Sequence, residues 1–410
     1  SKKENIIFEK DNGGLYVPEG FGVVVVIDSI GPSRHLAVKE NGDIYVKLKI
    51  TSDAPGSVAL RDENGDGKAD IIQPFGSYVN DGIFATGMRI NNGYLYYSTE
   101  QVVYRQKLED QLVPTSKQEI VLIDENAQWH IAKPLSFDNA GNLYVPYGAP
   151  SNACASYIST KGTSEQQAGQ NPCPELINHA GIWKFKANAL NQTQKDGTQV
   201  GTGLRSIVAM DWNKQTNSLF AVQHGRDDLH LLWPQFYSAW ENAVTPAEEF
   251  FEIKESSNYG WPYSYFGQIE DPRMKGQRKD LVAKAIVPDV PVGSHTASLG
   301  LCFYTGKTFP EKYKHGAFVG QHGSWNRKPH SGYKVIFVPF RAGKPQGQPI
   351  DVLSGFLNAD DVLADNDVVS RIAAAANSHQ KPDAVYGDLV YVREDDLSAV
   401  VRVWRSGTFD

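Results

Sequence analysis

The sequence has no long apolar run and no excess of positive charge. Its longest apolar stretch, around Val23 to Ile27, is far shorter than the roughly 20 residues that a helix needs to cross a bilayer. The chain has 40 Lys and Arg residues against 47 Asp and Glu residues, a net charge of −7. Such a chain lacks the basic surface that binding to a nucleic-acid backbone requires. We therefore expect neither a membrane span nor a nucleic-acid partner.

Cysteine is also scarce, with 3 residues in a chain of 410. The spacing of Cys and His residues matches no zinc site and no haem-attachment site. Cys154 and Cys173 flank a polar loop rich in Ser, Gly and Gln, so a disulfide between them is favoured over two unpaired thiols. Cys302 lies in the apolar run from Leu299 to Phe303 and is expected to be a small core residue.

The chain also lacks the patterns of helices and of nicotinamide binding. No long segment shows the 3.6-residue apolar period of a helix. No GxGxxG segment follows a strand and opens a helix, which disfavours a nicotinamide cofactor. The polar start, Ser1 to Glu4, shows no signal peptide, although it also fits a chain whose export signal has been removed.

One short pattern recurs: a turn with Gly, Asn or Asp, followed by an apolar and aromatic strand. The copies begin at Asn41, Asn92, Ala140, Thr216, His315 and Gly387. Each follows another short apolar strand, and several precede a third, as in the antiparallel blades of a propeller. We predict an all-β fold, a six-bladed β-propeller with long inter-strand loop insertions, as one domain over 1–410. Segment 1–30 would close a blade or pack on the outside, and one or two β-sandwiches are the alternative.

An acidic turn carries oxygen-bearing residues at alternate positions, as an EF-hand-type calcium loop does. The residues are Asp62, Asn64, Asp66, Lys68 and Asp70. Gly67 lies at the sharp turn, but Gln73 replaces the final bidentate Glu. We expect a structural calcium ion here, with a solvated acidic turn as the alternative.

In a propeller, the residues just before the innermost strands converge on one face of the central axis. Cationic or titratable residues hold that position in five repeats: Arg34, Lys133 with His130 close upstream, Arg205, His295 and Lys381. These groups would repel one another unless a polyanion lay between them. The pattern therefore predicts an anionic ligand at the axis.

A further cluster, Gln223 to Asp228, directly follows the fourth repeat strand. Backbone carbonyls at Gly225 with carboxylates nearby suit a hard cation such as calcium. An Arg–Asp pair that ties down the loop is an equally good interpretation.

Over about 32–404 the chain resembles the glucose/sorbosone dehydrogenase family of pyrroloquinoline quinone (PQQ)-dependent six-bladed propellers. The segments that carry the resemblance are 60–70, 223–230, 258–263, 295–306 and 321–327, and they favour the sorbosone dehydrogenase branch. The resemblance implies a periplasmic or extracellular enzyme that uses PQQ and calcium. It would oxidise a sugar, a sorbosone-like aldehyde or a related polyol, and pass electrons to a separate cytochrome or quinone.

The resemblance also implies roles for individual residues. His130 matches the family's catalytic base, and Arg205 matches the residue that hydrogen-bonds the quinone oxygens. Gly225 and Arg226 match the residues whose carbonyls hold the active-site calcium, and Asp227 is taken with them. The expected cofactor contacts are Arg34, Lys133, Arg205, Arg327 and Lys381. Three positions depart from the family pattern: Trp129, Ser206 and Lys381.

Two other functions remain open. A lactonase or gluconolactonase-like hydrolase would use the same fold with calcium, but it would need Asp, Glu and Asn side chains at the axis, where this chain is mainly basic. A non-catalytic sugar-binding propeller is the third possibility.

Overall fold

The computed structural model describes residues 6–28, 30–31, 33–49, 55–76, 87–154, 168–324 and 327–357. It also describes the backbone of three strands between 371 and 405. The prediction for Lys381 lies outside the described residues.

Within these residues the secondary structure is almost entirely β. The strands, in chain order, are β1 (Phe21–Ile27), β2 (Ser33–Val38), β3 (Ile44–Leu48), β4 (Ser57–Arg61), β5 (Ile71–Phe75), β6 (Gly87–Asn91), β7 (Tyr94–Ser98), β8 (Val102–Lys107), β9 (Glu119–Ile123), β10 (Ser136–Phe137), β11 (Asn142–Tyr147), β12 (Gly181–Lys186), β13 (Gln192–Thr193), β14 (Thr198–Thr202), β15 (Ile207–Asn213), β16 (Ser218–Gln223), β17 (Ala247–Ile253), β18 (Ser257–Asn258), β19 (Ser264–Tyr265), β20 (Ile269–Glu270), β21 (Val290–Ser294), β22 (Ser298–Phe303), β23 (Gly316–Gln321), β24 (Lys334–Arg341), β25 (Lys344–Pro345), β26 (Ile350–Leu353), β27 (Arg371–Ala375), β28 (Gly387–Val392) and β29 (Ser398–Arg405).

The described helices are short. The α-helices are α1 (Leu229–Leu232), α2 (Ala239–Val244) and α3 (Lys279–Val282). The 3-10 turns are Lys10–Gly14, Pro174–Leu176, Gln194–Asp196, Pro272–Met274 and Glu311–Tyr313. In the described part of the chain, no helix combines the length and the apolar character that crossing a membrane requires.

The chain forms two compact units. The first contains Ser1–Val121, Ser298–Gly323 and Gly332–Asp410, and the second contains Leu122–Ala297 and Ser324–Ser331. Each unit is built from antiparallel meanders, in which strands that follow one another in the chain pair side by side. The prediction of one domain over 1–410 stays a prediction.

The first unit carries four large sheets among its described residues. Their orders are β2-β3-β4-β5, β6-β7-β8-β9, β22-β23-β24-β26 and β27-β28-β29-β1. In the last of these, β1 pairs antiparallel with β29 and so joins the N-terminal segment to three strands from the end of the chain. Val23 and Val24 of β1 are fully buried, which is why this strand is held in the sheet.

The second unit carries two large sheets and one short ribbon in the part that is described. The sheets are β10-β11-β12-β14, with β18 added in parallel to β14, and β15-β16-β17-β21; the ribbon is β19-β20. Tyr144, Ile182, Ile207, Phe251 and Tyr259 belong to one buried cluster that spans both sheets. This core holds the ends of β15 and β16 in place.

The repeat found in the sequence corresponds to the same strand in every large sheet. Its copies are the second strands β3, β7, β11, β16, β23 and β28. The turns explain the pattern: between β6 and β7, Asn92 and Gly93 have φ of 47° and 77°, as a two-residue type I′ hairpin requires. Repeated meanders of this kind are the blades of a propeller, so the all-β propeller class is confirmed.

The cysteine predictions are also confirmed. Cys154 and Cys173 form a disulfide, and both are buried beside Ala149, Ala180 and Trp261. Cys302 is a buried residue of β22 that forms no disulfide, and its Sγ donates to the carbonyl oxygen of Phe303 at 3.3 Å.

Candidate active site

The second unit brings together Arg205, Gly225 and Asp227. Arg205 lies just before β15, and the other two residues follow β16, the antiparallel partner in which Gln223 pairs with Ile207. The start of one strand therefore lies beside the end of the other. Arg205 Nη1 donates to the carbonyl oxygen of Gly225 at 2.5 Å, and Nη2 donates to Oδ2 of Asp227 at 2.6 Å. The hairpin thus positions a buried guanidinium and its counter-ion.

His130 belongs to the same group of residues. Its Nδ1 lies 2.6 Å from the carbonyl oxygen of Ala149, and Ala149 N–H in turn donates to the carbonyl oxygen of Arg205 at 2.8 Å. Because a carbonyl only accepts, Nδ1 carries the proton, and in the neutral ring Nε2 is then a proton acceptor. Burial lowers the pKa of His130 to about 3, and the charge of Arg205 adds to that effect. The imidazole is therefore neutral at physiological pH while part of the residue stays exposed.

Gly148 allows the close approach that this arrangement needs. A Cβ at this position would lie 1.9 Å from the carbonyl oxygen of His130, a distance at which the backbone has to move. Gly148 and Ala149 were not identified as site residues from the sequence. Both contribute through their backbone, and a backbone contact produces no recognisable side-chain pattern.

Several neighbouring groups affect the pKa of the Asp227 carboxyl. Burial alone would raise the pKa of its carboxyl, but the charge and hydrogen bond of Arg205, with His224 and His295, lower it overall. Asp227 is thus an anion at neutral pH, and it partly offsets the effect of Arg205 on His130.

Two further histidines flank this group. His224 Nδ1 lies 2.8 Å from Oε1 of Glu248, a buried carboxylate that also accepts from Ala297 N–H at 2.9 Å. His295 Nδ1 lies 3.8 Å from Oδ1 of Asp227, and its Nε2 lies 2.7 Å from the carbonyl oxygen of Asn242. Both histidines lie in segments that the sequence pattern selects, but their partners come from other strands and loops.

The same contacts involve the groups expected to hold an active-site calcium, Gly225, Arg226 and Asp227, and that site stays a prediction. The Gly225 carbonyl and the Asp227 carboxylate both accept from Arg205, and a guanidinium there repels a second cation. The Arg226 side chain forms a buried ion pair with Asp271 at 2.7 Å. In this arrangement Arg205 bonds to both Gly225 and Asp227, and no step proposed below uses calcium.

At the acidic turn the structural calcium site stays a prediction, and the structure shows hydrogen bonds within the turn. Asp62 accepts from Gly65 and Gly67 N–H at 2.6 and 2.8 Å, and Asp70 accepts from Glu63 N–H at 2.7 Å. Asn64, Asp66 and Lys68 belong to the same network of short-range bonds. Among the described residues, no group of three or more His, Cys, Asp or Glu side chains could hold a metal ion. The carboxylates instead stabilise the turn itself.

Lys133 has a partner that accounts for its charge without a ligand. Its Nζ lies 2.7 Å from Oδ2 of Asp124, and both side chains are 2% exposed. The ammonium also lies 5.7 Å from the centre of the Tyr147 ring. The expectation that Lys133 is an open cofactor contact is therefore not carried further, because a buried ion pair is costly to separate.

The structure also describes two other predicted cofactor contacts, Arg327 and Arg34. Arg327 belongs to the second unit, and its Nε donates to the carbonyl oxygen of Pro329 at 2.7 Å. Arg34 is the second residue of β2, in the first unit. There, burial lowers the pKa of His35 to about 3, and the charges of Arg34, Arg89 and Lys47 lower it further.

The guanidinium of Arg205 fits an anionic quinone such as PQQ. Nε of Arg205 is buried and has no hydrogen-bond partner among the described residues, although the rest of its guanidinium is bonded. Cations with such donor groups bind carboxylate and quinone oxygens through charge-assisted hydrogen bonds.

Several known proteins are similar to parts of the chain. The Coprinopsis cinerea protein "Pyrroloquinoline quinone-dependent pyranose dehydrogenase" is 27% identical over 168 residues, which is 35% of this chain and 22% of that protein. An uncharacterized protein of Borreliella burgdorferi is 29% identical over 148 residues, 36% of each chain. The chain thus spans about a third or less of the length of these curated relatives.

Solved structures resemble almost the whole chain. A calcium structure of the Trichoderma reesei Carbohydrate-Active Enzymes Family AA12 protein has a TM-score of 0.73 at 16% identity, covering 98% of this chain and 100% of that one. The holo PQQ domain of the Coprinopsis cinerea pyranose dehydrogenase has a TM-score of 0.70 at 15% identity, covering 95% and 97%. At this level of identity the likeness establishes the fold alone.

The family model described as TrAA12-like matches residues 15–377. Because the match covers most of the sequence, this chain belongs to the TrAA12-like family, a family of PQQ-dependent oxidoreductases.

Proposed function

We propose that this chain is a PQQ-dependent dehydrogenase that oxidises a hydroxyl group of a sugar or related polyol, or a sorbosone-like aldehyde. The observation that carries the proposal is the neutral, partly exposed His130, with Nδ1 bonded to Ala149 and the guanidinium of Arg205 nearby. PQQ, when bound, would supply the quinone that accepts a hydride from the substrate.

His130 would act as the general base. Its Nε2 takes the proton of the substrate hydroxyl, and a positive imidazolium then forms. The Ala149 carbonyl and the Asp227 carboxylate both favour the protonated ring, so they stabilise the product of this proton transfer.

Arg205 would bind and stabilise negative charge on the cofactor. Its Nε is a donor that the described protein groups leave unused. Its charge also keeps His130 unprotonated before the reaction. Asp227 holds the guanidinium in place, so it acts as a positioning residue.

The proposal also includes the number of blades, the other cofactor contacts, the electron acceptor and the location of the protein. Six large sheets among the described residues support six blades of a single propeller over 1–410. Arg34, Arg327 and Lys381 would contact cofactor carboxylates, and a separate cytochrome or quinone would accept the electrons. The Cys154–Cys173 disulfide supports a periplasmic or extracellular location. Calcium enters only by analogy with the solved AA12 structure.

Reconstitution with PQQ tests the proposal. The purified protein would be mixed with PQQ, with and without calcium, and tested for dye reduction with aldoses, a sorbosone-like aldehyde, polyols and lactones. Dye reduction that needs PQQ supports the dehydrogenase. Opening of a lactone without quinone would indicate a calcium hydrolase, and sugar binding without turnover would indicate a non-catalytic propeller.

A further inference from the structure

Segment 258–263 carries part of the sequence resemblance but has no role in the chemistry proposed above. It begins in β18, which pairs in parallel with β14. Directly after that pair, the backbone N–H of Trp261 donates to the carbonyl oxygen of Gly203 at 3.1 Å. The segment is thus bonded to the backbone that leads into Arg205.

The two segments approach each other so closely that position 203 requires a glycine. Gly203 has a φ of 73°, and a Cβ there would lie 2.4 Å from Oδ1 of Asn258 and 2.8 Å from the backbone nitrogen of Gly260. A larger residue would be strained at this φ and would push the segments apart. The contact is therefore tight along its length.

The side chain of Trp261 reaches the segment that holds His130. Its Nε1 donates to the carbonyl oxygen of Asn152 at 2.9 Å, three residues after Ala149, whose carbonyl oxygen lies on Nδ1 of His130. The indole is buried, and it packs in one cluster with Ala149 and the disulfide. Trp261 thus has one hydrogen bond to each of the two segments that carry the site.

These bonds add a second connection between the segments of Ala149 and Arg205. The first is direct, from the N–H of Ala149 to the carbonyl oxygen of Arg205 at 2.8 Å. A single bond leaves two segments free to pivot about it, whereas a second connection through Trp261 also fixes their angle. The rate of a proton transfer depends on such geometry at the level of about 1 Å.

We infer that Trp261 is a positioning residue for His130. Its indole N–H fixes the Asn152 carbonyl and so keeps the Ala149 carbonyl on Nδ1 of His130, which leaves Nε2 unprotonated. This inference rests on the proposed function for the role of His130 as a base. The tautomer of His130 can, however, be measured without cofactor or turnover.

Trp261→Phe tests the inference, because it removes the indole N–H and keeps an aromatic ring in the cluster. Trp212→Phe is the matched control in the same unit. The Nε1 atom of Trp212 is buried and has no hydrogen-bond partner among the described residues, so its removal breaks no such bond. If Trp261→Phe does not fold, benzothienylalanine in place of Trp261 retains the ring shape with sulfur instead of N–H.

The first experiment records the ring nitrogens of His130 by nitrogen-proton NMR in the protein without cofactor. The signals missing in His130→Gln identify the residue. We expect a proton on Nδ1 alone in the parent protein and in Trp212→Phe. In Trp261→Phe the Ala149 carbonyl loses its fixed position, and part of the population should carry the proton on Nε2. A tautomer that is the same in Trp261→Phe as in the parent would overturn the inference.

The second experiment measures kinetics of the protein loaded with PQQ. Trp261→Phe should lower kcat by about tenfold or more, with KM for the sugar changed by less than about threefold. Trp212→Phe should leave both constants unchanged. A raised KM at unchanged kcat, or an equal loss of kcat in the two variants, would contradict a positioning role for Trp261.

The two hypotheses can fail separately. If Trp261→Phe changes the tautomer of His130 but the parent protein oxidises no sugar with PQQ, the proposed dehydrogenase is wrong and the positioning role stands. If the parent turns over and Trp261→Phe keeps its tautomer and its kcat, the positioning role is wrong and the dehydrogenase stands.

Discussion

Nη2 of Arg205 lies 2.6 Å from Oδ2 of Asp227, and this ion pair sets the electrostatic environment of His130. The positive partner lowers the pKa of the imidazole and the negative partner raises it, while burial has the largest effect. A base that is neutral before the reaction and stabilised after it takes up a proton requires charges of both signs nearby.

Replacement of the base should abolish turnover while leaving cofactor binding intact. For His130→Ala we expect kcat to fall by about 10²–10⁴-fold, with PQQ still bound when measured by absorbance after gel filtration. His315→Ala is the control, because His315 is exposed and lies in the first unit. Turnover within about threefold of the unchanged protein would remove His130 from the base role.

The Arg205–Asp227 pair gives a second prediction. Asp227→Asn removes the charge that holds Arg205 and favours protonated His130, so kcat should fall about tenfold or more. Asp280→Asn breaks a similar pair with Arg278, but at the surface, where an ion pair contributes little. It should therefore leave kcat unchanged. Equal effects of the two substitutions would show that Asp227 has no positioning role.

Stability at low pH should depend on the protonation of His130 and His35. His130 and His35 both have a folded-state pKa of about 3, below the ordinary 6.5, so only the unfolded chain takes up their protons between those values. The free energy of unfolding should fall with decreasing pH in this window, by at most about 1.4 kcal/mol per pH unit for each histidine. His35→Gln should reduce that slope in urea titrations. An unchanged slope would indicate that His35 is protonated in the folded protein.

Glu249 should have the opposite effect at higher pH. Burial raises the pKa of its carboxyl to about 7, against an ordinary value of 4.5. The folded protein therefore holds a proton that the unfolded chain releases, which contributes stability that is lost as pH rises from 4.5 through 7. Glu249→Gln should remove this dependence in Tm measurements between pH 5 and 8, with Glu40→Gln, an exposed residue, as the control. A variant with the same pH profile as the parent protein would disprove the assignment.

The acidic turn supplies a test that involves calcium. Because Asp62 caps two N–H groups of the turn, Asp62→Ala should lower stability by about 1–2 kcal/mol. We expect calcium and a chelator to leave the Tm of the parent protein unchanged. A Tm that rises with calcium and falls for Asp62→Ala only in its presence would restore the original calcium interpretation.

Local patterns determined the strands and the disulfide. A turn residue that tolerates positive φ, followed by an apolar and aromatic run, specifies a hairpin wherever it occurs, as Asn92 and Gly93 show. The polar loop between Cys154 and Cys173 indicated their bridge for a similarly local reason. Arg205 lies just before a strand whose partner is the next strand along the chain, so hairpin pairing brings it beside the residues that follow that partner.

The ion-pair and hydrogen-bond partners of charged residues could not be predicted from local sequence patterns. Lys133 and Arg205 occupy equivalent positions in the repeat, yet Asp124 neutralises the first in a buried pair while the second keeps an unused donor. The difference depends on which side chain the fold brings within about 3 Å, and sequence spacing carries no such information.

The sequence by itself determined an all-β chain of repeated hairpins, because turn chemistry and the two-residue alternation of strands are local properties of the chain. Only the tertiary structure decided that Ala149 sets the tautomer of His130, that Arg205 faces Asp227, and that Trp129 stands in solvent against the imidazole. These contacts involve a backbone carbonyl, residues on different strands and a residue with a strained φ. Their interaction energies arise only when folding brings the groups together.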